Sequence, residues 1–167
     1  MFAKTTGITL AVWGLLAAGA ASAEAPPKTH ADHGKHEHHD HGAPAGKLVL
    51  NAGAKWGTDA ALRAGMEAFQ HTLAEAIPAI HDGSFTPAQY AALAGNLEKQ
   101  LASIMSQCKL PPEADAQLHI LLVEFFGGIE AMKGEGDRMK GAVRIVRGLG
   151  TYGKFFEHPG WKPLVHG

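Results

Sequence analysis

Residues 85–108 read FTPAQYAALAGNLEKQLASIMSQC and contain the clearest helix start in the chain. Thr86 can cap the helix, Pro87 suits the first helical position, and Gln89 completes a capping box. Apolar residues then recur every three or four positions, which predicts an α-helix with one buried face. These positions are Tyr90, Leu93, Leu97, Leu101 (or Gln100), Ile104 and Cys108. Phe85 and Tyr90 are spaced to form a hydrophobic staple across the cap.

Three further segments have the same periodicity, at about residues 58–80, 112–133 and 137–157. The inward positions predicted for the last segment are Met139, Ala142, Val143, Ile145, Val146, Leu149, Tyr152 and Phe156. No segment alternates as a half-buried strand would, so the predicted class is all-α. Because the connections are short, the sequence favours an antiparallel up-down-up-down four-helix bundle spanning residues 48–167.

Two features of the fourth segment qualify this picture. One side of this segment is basic and contains Lys140, Arg144, Arg147 and Lys154. We interpret it as a solvent-exposed face that pairs with acidic residues elsewhere in the chain. Six glycines also fall inside the third and fourth predicted helices, at 127, 128, 141, 148, 150 and 153. Each costs about 1 kcal/mol relative to alanine in a helix interior. They indicate close approach of two helices, with a kink or fraying near residues 148–153, or else room for a bound group beside the fourth helix.

Composition excludes several classes of function. The 167-residue chain has a formal net charge of −1, so it has no basic excess for binding nucleic acid. Cys108 is the only cysteine, which excludes an internal disulfide and a Cys-x-x-Cys motif. The sequence contains no phosphate-binding loop and no evident nucleophile–base pair, and we therefore predict a protein that is not an enzyme.

The first 23 residues resemble a secretory signal peptide. Lys4 supplies a positive charge, residues 7–20 are apolar but short for a membrane span, and Ala21-Ser22-Ala23 fits a signal-peptidase site. Cleavage near Ala23 would release a chain with no membrane span into the periplasm or medium. Residues 24–47 are rich in proline, histidine and charged residues, a composition that predicts a disordered tail.

The tail contains six of the eleven histidines in the chain, all between residues 30 and 41. They are His30, His33, His36, His38, His39 and His41. Imidazole has a pKa near 6.5, so most rings are neutral and able to bind metal at neutral pH. Copper and zinc are the predicted ions, with nickel as a further candidate, since all three suit nitrogen ligands. A polar spacer without a metal is the other interpretation.

Cys108 and His119 are the second candidate metal site. They lie on either side of the Pro111-Pro112 turn, and a thiolate and an imidazole together could bind Cu(I) or Zn²⁺, with Met105 as a third ligand. The alternative is a buried apolar cysteine and a histidine bonded to a carbonyl group, and we prefer that interpretation.

Met66 and His158 are a third possibility. In an antiparallel bundle they would lie at the same end, as the ligands of non-covalent haem do in some periplasmic b-type cytochromes. His158 falls off the inward stripe, however, and is more simply interpreted as a cation at a helix carboxyl end.

Four stretches resemble a small exported proteobacterial family, sometimes called DnrO-like. They are residues 50–59 (LNAGAKWGTD), 62–66 (LRAGM), 108–119 (CKLPPEADAQLH) and 158–161 (HPGW). The resemblance covers about residues 48–161. It implies an exported helical domain behind a variable, often histidine-rich tail, and it implies no reaction and no catalytic residue.

Taken together, these patterns predict an exported metal-binding protein that buffers or delivers copper, zinc or nickel through its tail. Two alternatives stay open. One is an electron-transfer or sensor protein with haem in the bundle. The other is a module that binds another protein of the cell envelope, with the tail as a spacer.

Overall fold

The computed structural model describes residues 46–164. Over this range the chain forms four helices: α1 (Ala60–His81), α2 (Pro87–Gln107), α3 (Pro112–Lys133) and α4 (Arg138–Phe155). Within these residues there is no β-strand, only two isolated β-bridges. The all-helical class and the four helices are confirmed, and the arrangement is consistent with a four-helix bundle. The predicted signal peptide and nearly all of the predicted tail lie outside the described residues.

The start of α2 follows the sequence signal closely. The hydroxyl of Thr86 accepts from the backbone N–H of Gln89 at 3.3 Å, and the Gln89 side-chain oxygen accepts from the N–H of Thr86 at 2.8 Å. Phe85 and Tyr90 meet edge to face, with ring centroids 4.8 Å apart. The predicted capping box and staple are therefore both present.

The core consists of one apolar stripe from each helix. Leu101 is fully buried in the α2 stripe, which resolves the alternative between Leu101 and Gln100 in favour of the leucine. Phe69 of α1 and Phe125 of α3 pack against each other at its centre, with ring centroids 5.1 Å apart. None of the helices in residues 46–164 is both long and apolar enough to cross a bilayer.

The most extensive helix–helix contact is between α3 and α4, and glycines make it possible. A methyl group built on Gly128 would lie 2.7 Å from the backbone oxygen of Gly141. A methyl group on Gly141 would lie 2.5 Å from the backbone oxygen of Gly128. Because backbone atoms cannot move aside as a flexible side chain can, only glycine fits at these two positions.

Three other glycines of α3 and α4 also make room for a neighbour. Gly127 lies under the Arg144 guanidinium, Gly148 under the Phe125 ring, and Gly153 under the Trp161 indole. Helix α4 continues without fraying to Phe155. The close-approach interpretation therefore holds for these positions. It does not hold for Gly150, where an added methyl group would have no neighbouring atom within 4 Å.

Two expectations for the fourth helix are wrong. Met139 is 41% exposed instead of buried, since it lies at the edge of the α4 stripe and is only the second residue of the helix. The helix also ends two residues earlier than predicted, at Phe155. Phe156 still enters the core, but it does so from extended backbone.

The segment before α1 is held against the end of α4. The backbone N–H of Trp56 donates to the oxygen of Phe155, and the N–H of Glu157 donates to the oxygen of Trp56, each at 2.8 Å. The indole N–H of Trp56 donates to the oxygen of Val49 at 2.6 Å. The first and last described segments are thus joined directly.

Asp59 connects α1 to the turn between α2 and α3. One carboxylate oxygen accepts from the N–H of Leu62 at 2.7 Å and caps α1, and the other accepts from the N–H of Lys109 at 2.5 Å. Partial burial acts to raise the pKa of Asp59. The two amides and the Arg63 charge outweigh that effect, so the pKa lies below its ordinary value.

Gly128→Ala and Gly141→Ala should each lower the free energy of unfolding by about 2 kcal/mol or more, because the added methyl group forces the α3 and α4 backbones apart. Urea unfolding followed by circular dichroism measures this. Gly95→Ala is the matched control, because Gly95 lies inside α2 with no atom within 4 Å of the new methyl group. It should be neutral or stabilising by up to about 1 kcal/mol. Equal effects at all three positions would refute the close-contact explanation.

Asp59→Asn should cost about 1 kcal/mol, since an amide has only one oxygen and must give up one of the two backbone bonds. Stability contributed by a carboxylate with a lowered pKa is present above the unfolded-state pKa and is lost as the pH falls through the folded-state pKa. The difference between wild type and Asp59→Asn should therefore shrink below about pH 4. Glu135→Gln is the control, because Glu135 is exposed in the α3–α4 connection and its carboxylate makes no hydrogen bond or ion pair with another described residue.

Candidate functional site

The six predicted tail ligands, at His30, His33, His36, His38, His39 and His41, lie outside the described residues. Among residues 46–164, no group of three or more His, Cys, Asp or Glu side chains is arranged to hold a metal ion. The described part of the chain contains the other candidate ligands, which are Cys108 and His119 with Met105 as a third, and the pair Met66 and His158.

Cys108 is the C-cap residue of α2 and packs, half buried, against the core. Burial raises the pKa of its thiol, and the negative charges of Asp59 and Asp115 raise it further. A thiol in these surroundings holds its proton at neutral pH. It is a poorer nucleophile and a poorer soft-metal ligand than an activated cysteine.

His119 lies on α3, one turn after Asp115. Its Nδ1 atom is 3.0 Å from the backbone oxygen of Asp115 and 3.3 Å from an oxygen of the Asp115 carboxylate. Its side chain is about one third exposed. Asp115 thus interacts with both Cys108 and His119, but no metal-holding group of three forms around them within residues 46–164.

The most elaborate polar cluster in the described residues was not predicted: it is centred on His158. Only 2% of the His158 side chain is exposed. Its Nδ1 atom is 3.0 Å from the hydroxyl of Tyr152, and its Nε2 atom is 2.9 Å from a carboxylate oxygen of Glu67 on α1. His158 is therefore a buried, doubly bonded side chain that follows the end of α4, which the sequence pattern does not indicate.

Aromatic rings enclose this cluster. Tyr152 stacks on Phe156 with centroids 5.4 Å apart, and Trp161 covers both Tyr152 at 4.8 Å and His158 at 4.9 Å. The chain can return over its own helix because α4 ends at Phe155 and Gly160 adopts a positive φ of 83°. That turn brings Trp161 back onto Gly153.

The hydrogen-bond pattern defines what His158 can do. Burial raises the pKa of Tyr152 well above its usual range, so the phenol is protonated and can donate to Nδ1. The Nε2–H group then donates to Glu67, whose side chain is 66% exposed. These two bonds connect a buried hydroxyl to the surface and fix the end of α4 to α1.

The same geometry bears on the haem alternative. His158 does lie beside α1, and its ring is bonded to Glu67, the neighbour of Met66. Both of its ring nitrogens are engaged by protein groups, however, and Met66 is fully buried in the apolar core. Neither side chain is presented as an axial ligand.

Comparison of the chain with protein-family models, with curated proteins and with solved structures gives no significant match in any of the three. The resemblance to the DnrO-like family stays a prediction.

Tyr152→Phe should lower the free energy of unfolding by about 1–3 kcal/mol, because it keeps the ring stack but leaves Nδ1 of a buried histidine without a partner. Thermal unfolding measures this loss. Glu67→Gln is the matched comparison: its amide oxygen can still accept from Nε2–H, and the site is exposed, so the loss should stay below about 1 kcal/mol. A Tyr152→Phe variant as stable as wild type would mean that the cluster contributes nothing to the fold.

Cys108 should react slowly with iodoacetamide near pH 8, because the thiolate is the reactive form and its pKa is raised. Asp115→Asn removes one of the negative charges responsible and should accelerate alkylation by about two- to fivefold. Glu113→Gln changes the charge in the same turn of α3 but does not act on the thiol, so its rate should match wild type. Equal rates in all three proteins would exclude this electrostatic control.

Proposed function

We propose that this protein is an exported, non-enzymatic metal-binding protein that buffers or delivers copper, zinc or nickel through the histidine-rich segment before its helical domain. The observation that carries the proposal is the density of ligands: six histidines within residues 30–41. Asp32, Glu37 and Asp40 add carboxylates to the same segment. Export to the periplasm or medium after cleavage near Ala23 belongs to the same proposal.

The ligand chemistry supports a transition metal over calcium or magnesium, which prefer oxygen ligands. Successive imidazoles on one short segment can bind one ion together, because the first contact holds the others at high local concentration. Without a fixed geometry, selectivity follows intrinsic preference, which places Cu²⁺ ahead of Ni²⁺ and Zn²⁺. Cys108 and His119 are secondary candidate ligands, because the pKa of the Cys108 thiol is raised and because no metal-holding group of three forms around them within residues 46–164.

For the helical domain we propose the up-down-up-down topology expected from the sequence. Consecutive helices pack on each other, and each connection within residues 60–155 is short. The Glu67–His158 contact and the Trp56–Phe156 bridge join the beginning of α1 to the end of α4, as alternating directions require. The domain would act as a stable carrier of the metal-binding segment.

Replacing the six histidines at positions 30–41 with alanine should abolish most Cu²⁺, Ni²⁺ and Zn²⁺ binding, measured by isothermal titration and elemental analysis. The melting temperature of the metal-free protein should stay unchanged, because the segment has no large apolar surface to contribute to a core. A variant carrying Cys108→Ser and His119→Ala is the comparison and should keep the wild-type stoichiometry. If the six-histidine variant kept it instead, the site would lie in the helical domain.

The pH dependence of the same titrations provides their second readout. Metal affinity should fall steeply between about pH 7 and pH 5.5, because free histidine titrates near pH 6.5 and each ring must lose its proton to coordinate. The six-histidine variant shows how much of that dependence belongs to these rings. Equal affinity at both ends of the interval would mean that histidines are not the ligands.

A further inference from the structure

Helix α4 presents a continuous cationic stripe to solvent. Lys140, Arg144, Arg147 and Lys154 are all exposed, and their spacing of four, three and seven residues keeps them on one side of the helix. At about 1.5 Å per residue the stripe is about 21 Å long. The sequence of α4, RMKGAVRIVRGLGTYGKF, contains five cations and no acidic residue.

The sequence predicts that acidic residues pair with this cationic face, and two of its four cations do form ion pairs. Arg144 pairs with Glu124 of α3 at 2.8 Å, and Lys140 pairs with Asp137 at 3.3 Å. No carboxylate among the described residues forms an ion pair with Arg147 or Lys154. The two pairs are close to neutral, so the carboxyl half of the stripe carries the uncompensated charge.

An apolar edge runs along one side of the stripe. At about 100° per residue, Met139, Val143 and Gly150 lie on the same side of the stripe. Met139 and Val143 also border a small hollow together with Ile77 of α1. Met139 is 41% exposed and Val143 is half buried. Gly150 is the one glycine inside α4 with no neighbouring atom to accommodate, so another molecule can approach the helix backbone closely there.

We propose that this face of α4 docks on the anionic headgroups of a lipid bilayer. A cluster of Lys and Arg on the exposed face of an amphipathic helix is a common site for anionic lipid headgroups. The charge complementarity comes from Arg147 and Lys154, whereas Met139 and Val143 supply the apolar contact. The exposed face of α1 has Glu67 and Glu75 instead, so α4 would be the side turned to the lipid.

The test is co-sedimentation of the chain from Glu24 to Gly167, without the predicted signal peptide, with vesicles in a chelator at about pH 7.5, where free histidines are neutral. Vesicles of equal parts phosphatidylglycerol and phosphatidylcholine should bind the protein, and vesicles of phosphatidylcholine alone should not. Added salt should weaken the binding. Absence of binding to the anionic vesicles at low salt would overturn the proposal.

The double variant Arg147→Glu, Lys154→Glu should bind about tenfold more weakly or worse. The matched control is Lys99→Glu, Lys109→Glu, which changes the net charge equally at exposed positions on α2 and in the α2–α3 connection and should bind about as well as wild type. Circular dichroism checks that both variants fold. Equal loss in the two double variants would overturn the proposal, because only overall charge would then matter.

Met139→Ser separates a bilayer from an acidic protein. It should weaken vesicle binding severalfold and leave binding to soluble polyaspartate unchanged, since only a bilayer offers an apolar interior to this side chain. If polyaspartate bound as tightly as the vesicles and Met139→Ser changed neither, the assignment to lipid would be overturned in favour of an acidic protein surface.

Discussion

The contact between the backbones of α3 and α4 sets the dimensions of this domain. Where Gly128 and Gly141 meet, no side chain separates the two helices. This close approach lets Ile145 pack over Gly128 and the Phe125 ring pack over Gly148. Each glycine weakens its own helix by about 1 kcal/mol, and the tertiary contact offsets that cost. Each glycine of this pair thus destabilises its own helix, and only the contact between α3 and α4 compensates for that loss.

Contacts at one end of the domain hold its remaining parts together. Asp59 joins the start of α1 to the turn after α2, Trp56 joins the first described segment to the end of α4, and His158 joins that end back to α1. In each case a polar group makes two bonds that reach different parts of the chain. The resulting network explains how a polar, buried histidine can be tolerated in a small domain.

The helices are predictable from the sequence because their information is local. The capping box at Thr86, the apolar stripes and the Pro111-Pro112 turn each act within a few residues. The burial of His158 is not predictable in this way, because its carboxylate partner is Glu67, far away in the chain, and because it follows from a turn centred on Gly160. The exposure of Met139 escapes prediction because a wide apolar stripe does not show where burial ends.

The candidate metal ligands can be identified from the sequence, but their surroundings cannot be predicted from it. The six histidines at residues 30–41 are easily identified from the sequence. Their number does not indicate how they would be arranged around a metal ion. For Cys108 the sequence indicates only a location next to a turn. It does not show that Asp59 and Asp115 surround the thiol with negative charge, because Asp59 arrives there only through the packing of α1 against the α2–α3 turn.

The bridge at Trp56 has a mechanical consequence. Its two hydrogen bonds, to Phe155 and from Glu157, run side by side between chain segments that lie parallel. A force that pulls residues 46 and 164 apart must break these bonds, together with the side-chain bonds from Gln117 to Val49 and from Gln70 to Lys162, before it can unravel α1 or α4. The two bonds of Trp56 must break together in shear, which is more resistant than peeling one bond at a time. The domain should therefore bear tension better than a helical bundle whose ends are free, until the bridge yields and the helices separate.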